Sequence, residues 1–164
     1  MMPPDALTEY AKTGRISSAA IHHLINADAA GFELYQHYRQ EPSIGFARTL
    51  LAELTALYQA TYANGGDAMG TDELRLAGYL VGLHQDVRDS LLLWRTKQLN
   101  FDTACEFDIQ LVVFAGVEPT IAYLKEQQSE EAAQAVAYIE GCQTAGDFDL
   151  LEAYFLPENL PYWI

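Results

Sequence analysis

Residues 43–66 read SIGFARTLLAELTALYQATYANGG, and the way this stretch is punctuated decides the fold. Ser43 places a side-chain acceptor just ahead of an apolar series, Ile44, Ala47, Leu50, Leu51, Leu54, Leu57, Tyr58 and Thr61. Steps of three and four residues bring that series onto one face of a helix, and Asn64-Gly65-Gly66 ends it. Nowhere in the chain do β-branched residues alternate with polar ones over five or more positions, whereas the helical spacing recurs along most of it.

Upstream, Pro3 and Pro4 suit a first helical turn and Gly14 ends that helix. Ser17 or Ser18 then caps a segment whose stripe runs Ile21, Leu24, Ile25, Phe32, Tyr35 and Tyr38 until Pro42, with Gly31 or a cap at Asp28 able to split it. Downstream, Gly65 to Gly70 is expected to be a flexible loop. Thr71 caps a helix through Leu74, Ala77 and Val81, and after a corner at His84-Gln85-Asp86 the next runs through Val87, Leu91, Trp94 and Thr96 to Gln98. Asp102 opens a helix to Gly116, Glu118-Pro119 another to Gln128, Ser129 a third to Gly141 and Asp147 a fourth to Leu156. The expected fold is all-α, an irregular bundle of about eight helices, with the C-terminal half as stacked helical hairpins. Residues 1–164 are read as a single helical domain with a subdivision near 64–71. No period near 34 to 45 residues marks a helical repeat.

Composition is globular, with half the residues apolar, ten Tyr and seven Phe. The opening Met1-Met2-Pro3-Pro4-Asp5 has no basic and apolar export pattern, and the longest apolar run, Leu76 to Leu83, falls far short of the roughly 20 residues a membrane helix needs. A cytoplasmic protein is expected. Cys105 and Cys142 lack any CxxC or neighbouring His and read as buried free thiols. Charge is uneven: residues 99–164 carry twelve carboxylates against Lys125 alone, which is −11 of the formal −14. Such a field repels nucleic acid and anionic lipid and attracts a basic protein partner.

Two sets of residues are candidate sites. In the first, the helix from Ser129 faces its core with Ala132, Ala135, Val136 and Ile139, while Glu130, Glu131, Gln134 and Tyr138 fall on the outer face. With Asp147, Asp149 and Glu152 they form an aromatic ring among carboxylates, suited to partner binding. The plainer reading is that the two glutamates complement the helix dipole and a neighbour covers the ring. In the second set, Asp108 stands on a helix that reads as apolar all round, so its carboxylate must be paired or protonated. Arg88, Arg95 or Lys97 would supply the donor, and Gln110 is read in the same way. Trp94, Lys97, Asp108 and Gln110 would line a small-molecule or enzyme pocket.

Other chemistry is not signalled. Glu33 and His37 share a helical face but lack a third ligand, so no metal site and no cofactor is expected. No serine or cysteine elbow accompanies His84 and Asp86, and residues 64–70 lack the lysine and strand of a phosphate-binding loop. Gly78 and Gly82 point to close helix packing, and the apolar tail Pro157 to Ile164 is expected to dock onto the body.

The stretch Leu91 to Lys97, Asn100 to Cys105, Asp108 to Leu111, Ala115-Gly116, Thr120 and Tyr123 to Lys125 resembles a segment that recurs in small uncharacterised bacterial helical proteins. Some of these resemble the immunity proteins that accompany secreted polymorphic toxins. The resemblance spans about residues 74–156 and carries no catalytic assignment. It implies a cytoplasmic immunity-type protein that holds a basic toxin domain, such as a nuclease, on its acidic half. The alternatives are the interhelical pocket near Asp108 and a helical adaptor that oligomerises through Tyr162-Trp163-Ile164.

Overall fold

The structure is a computed structural model that describes residues 5–65 and 69–164, and every regular element among them is helical. Pro3 and Pro4, and residues 66–68 of the expected flexible loop, lie outside the described residues. Two compact units divide between Val81 and Gly82. The first is residues 1–81 with Tyr162–Ile164, and the second is Gly82–Pro161.

In the first unit, α1 (Ala6–Thr13) begins where the Asp5 carboxylate accepts from the Leu7 and Thr8 backbone and from the Thr8 hydroxyl, and it ends at left-handed Gly14. Ser17 caps α2 (Ser18–Asn26) by accepting from Ala20 N at 3.2 Å. The chain then breaks, and Ala29, with φ of 61°, starts α3 (Ala30–Gln40). This break falls where a split at Asp28 or Gly31 was allowed for, although the residue that turns the chain is Ala29. It resets the helical phase, so Tyr35 and Tyr38 are buried but Phe32 is left 41% exposed.

Ser43 caps α4 (Ile44–Ala63) as expected, its hydroxyl accepting from Phe46 N at 3.1 Å. Ala47, Leu50, Leu51, Leu54 and Tyr58 are buried, whereas Leu57 and Thr61 are only half-buried. The expected stripe omits the fully buried Phe46, whose ring lies 5.6 Å from Tyr10 and 6.0 Å from Tyr38. The unit is completed by α5 (Asp72–Gly82), apart from its last residue, and by Trp163. The Trp163 indole packs on Tyr79 and beneath the Arg75 guanidinium, so this part of the tail is docked.

Burial pushes the Tyr38 and Tyr79 phenols up to about 12. A phenol whose folded value is raised holds its proton more tightly than the unfolded chain does. Stability should therefore fall as pH rises from the ordinary value of 10 toward 12, by roughly 2 kcal/mol per group. Following phenolate absorbance together with helical content should show these two rings ionising only as the first unit unfolds.

In the second unit a short 3-10 turn, Val87–Asp89, leads into α6 (Ser90–Lys97). This helix packs against α7 (Phe101–Glu106), α8 (Ile109–Val112), α9 (Val117–Glu126) and α10 (Glu130–Ala145). A three-residue link joins α9 to α10, and the two pack along their length as the expected hairpin. Three boundaries differ from expectation. The helix expected over residues 102–116 is α7 and α8, broken at Phe107-Asp108, and its cap is Asn100 in a reciprocal box with Thr103. The α10 helix continues past Gly141, because left-handed Gly146 supplies the stop. The last expected helix shrinks to α11 (Leu151–Tyr154) within turns. A Cβ on Gly82 would lie 3.1 Å from both Phe114 and Phe155, which explains that glycine. Eight of the helices have eight or more residues, and among the described residues none is long and apolar enough to cross a membrane.

Candidate functional site

The α10 helix places the first candidate set as its periodicity demands. Ala132, Ala135, Val136 and Ile139 are buried, and Glu130, Gln134 and Tyr138 are exposed at successive turns. Glu131 turns instead toward α6. Its two carboxylate oxygens accept from Arg95 Nε at 2.8 Å and Nη2 at 3.0 Å. That forked pair is partly exposed, and it fixes α10 on α6 while cancelling one negative charge of the face.

Tyr138 is 45% exposed yet firmly supported. Its ring centroid is 5.5 Å from that of Trp94, and the Lys97 ammonium lies 5.7 Å from it on the protein side. Lys97 is itself 3% exposed and donates to the carbonyls of Ala104 at 2.6 Å and Phe107 at 2.7 Å. A buried cation thus caps the C-terminal end of α7, where unsatisfied carbonyls concentrate negative charge.

The Tyr138 hydroxyl lies beside the Cys142 thiol one turn on, and that thiol lies beside the Asp147 carboxylate. Burial, then the Asp147 carboxylate, pushes the thiol up, and burial followed by Cys142 does the same for the phenol. Both shifts favour the protonated forms, so the surroundings of Cys142 do not activate its thiol. The buried-thiol reading is corrected here, since Cys105 is exposed and Cys142 half-buried. Gln110 donates to the Asp147 backbone carbonyl at 3.1 Å, and the Asp149 carboxylate folds against left-handed Gly146. Asp147, Asp149 and Glu152 are all exposed.

Trp94, Lys97 and Gln110, expected to line a separate pocket, therefore support Tyr138 and Asp147 from behind. Asp108 is not among them. It stands at the N-cap of α8, half-buried, and accepts the Tyr154 hydroxyl at 2.6 Å. None of the cations expected to neutralise it does so: Arg88 is paired with Asp86, Arg95 with Glu131, and Lys97 with backbone. The error came from reading residues 102–116 as one helix, which placed Asp108 in its middle. An aspartate five residues after the end of an earlier capping box is itself a signal for a second helix start. Cys142 could have been found as the i+4 neighbour of Tyr138.

The chain gives no significant match to a family model, to a curated protein or to a solved structure.

Proposed function

We propose that this chain is a binding protein of the immunity type, which holds a basic toxin domain on its acidic C-terminal face and so neutralises it in the cytoplasm of the producing cell. The observation that carries the reading is Tyr138, a half-exposed ring backed by Trp94 and Lys97 and close to Asp147, on a stretch of chain that also exposes the carboxylates of Glu130, Asp149 and Glu152. Rigid aromatics in such settings dominate binding energy because little side-chain entropy is lost when a partner covers them. The carboxylates add attraction and speed of encounter. A nuclease suits the surface well, since its phosphate-binding groove is basic and carboxylates can stand where phosphates would lie.

Co-purification with the product of the adjacent gene, followed by stopped-flow association, tests this. The triple variant Glu130→Lys, Asp147→Lys, Asp149→Lys should associate about 100-fold more slowly at low salt and lose most of its salt dependence. Unchanged kinetics in that variant, or no complex with the wild-type chain, would overturn the reading.

A further inference from the structure

An open cleft of about 270 Å³ lies on the first unit, lined by the α2–α3 turn, the start of α5 and residues 162–164. Aliphatic side chains such as Leu24, Ile25 and Leu76 line part of it, beside two other kinds of group. Phe32, Tyr162 and Trp163 supply aromatic surface, and Asp28, Asp72 and Glu73 supply carboxylates, while its lining contains no Lys, Arg or His. Phe32 is the ring left outside the core by the phase break at Ala29, and Tyr162 is 89% exposed. Trp163, by contrast, is fixed between Tyr79 and Arg75.

The carboxylates are unequally satisfied. Arg75, buried behind the wall, reaches Asp72 Oδ1 at 3.5 Å and the Tyr162 hydroxyl at 3.5 Å. Glu73 has no cation within ion-pair distance among the described residues, and burial, then the neighbouring Asp72, pushes its carboxyl up from the usual range. A partly buried carboxylate without a counter-ion costs the empty chain some stability, and an arriving cation offsets that cost. Aromatic faces attract the same kind of guest through their quadrupoles.

We propose that this cleft is a docking pocket for a lysine or arginine side chain presented by a partner polypeptide. Charge complementarity assigns the cation. The exposed rings of Phe32 and Tyr162 assign the polypeptide, because a free small amine would leave them in water, whereas residues flanking a docked side chain would cover them. The pocket lies in the first unit and is distinct from the acidic face around Tyr138.

The test is a titration of the full chain, followed by amide NMR, with acetyl-Gly-Arg-Gly-amide, its lysine counterpart and its glutamine counterpart. The two cationic peptides should give saturable shifts at Ala29 to Phe32 and at the Trp163 indole, and the glutamine peptide none. Glu73→Gln should raise the thermal midpoint of the free chain while weakening the arginine peptide by about fivefold or more. Phe32→Ala should weaken it without raising the midpoint. Equal binding of the glutamine peptide, or unchanged binding in both variants, would overturn the proposal. Tighter binding of agmatine than of the peptide would assign the pocket to free amines and overturn the polypeptide occupant. The probes are not the product of the adjacent gene, so failure here and failure of the immunity reading are separately visible.

Discussion

Lys97→Met should lower the unfolding free energy by about 3 kcal/mol, with the loss concentrated in the second unit. Methionine keeps most of the aliphatic volume beneath Tyr138 and removes only the ammonium. The carbonyls of Ala104 and Phe107 then lose their donor at 2.6 and 2.7 Å, inside a site that Lys97 fills at 3% exposure. Buried ion pairs are often replaced by apolar residues at little cost, because both charges leave together. Here two of the partners are backbone carbonyls that no substitution removes, so their share of the cost persists. Urea unfolding followed by circular dichroism measures it, and amide exchange should show the protection of α7 falling more than that of α9. A change within about 0.5 kcal/mol would mean that water or a rearranged α7 replaces the ammonium.

Lys97 also shows where reading the sequence stops. The all-α class, the α4 helix, its Ser43 cap and the inner face of α10 were legible, because each depends on a local rule of spacing or capping within a few residues. Lys97 was legible as a charge near the end of a helix, but its partners lie seven and ten residues on, and only the folded turn after α7 delivers them. The Arg95–Glu131 pair spans 36 residues and Tyr154–Asp108 spans 46. No local pattern encodes such partners. Periodicity therefore gave the correct outer face of α10 yet could not tell that Glu131 is engaged while Glu130 is exposed. The same limit separated Trp94, Lys97 and Gln110 from Tyr138 and Asp147, although the fold makes them front and back of one site. Phase errors had a different source. Asp28 and Gly31 marked the neighbourhood of the break, but Ala29 adopts the left-handed conformation without being glycine, so no residue type announced the phase that exposes Phe32.

Tyr138→Ala should weaken the complex with a basic partner by about 30-fold or more, the scale of a hot-spot truncation, and should act mainly on the dissociation rate. The carboxylates around it act chiefly on association, so the two classes of variant separate kinetically. The free chain should lose only about 1 kcal/mol, since the ring is half-exposed and its contacts with Trp94 and Lys97 are partly in water. Tyr138→Phe supplies the control. It keeps the ring on Trp94 but removes the hydroxyl beside Cys142 and Asp147. If binding comes from a rigid apolar face, Phe binds almost as well as Tyr. If the hydroxyl holds Asp147 in place for a cation, Phe loses affinity in the same proportion as Asp147→Asn, and the double variant loses no more than either. A Tyr138→Ala variant that binds like the parent would move the contact surface off α10 altogether, because no other residue on its outer face combines exposure with an aromatic ring.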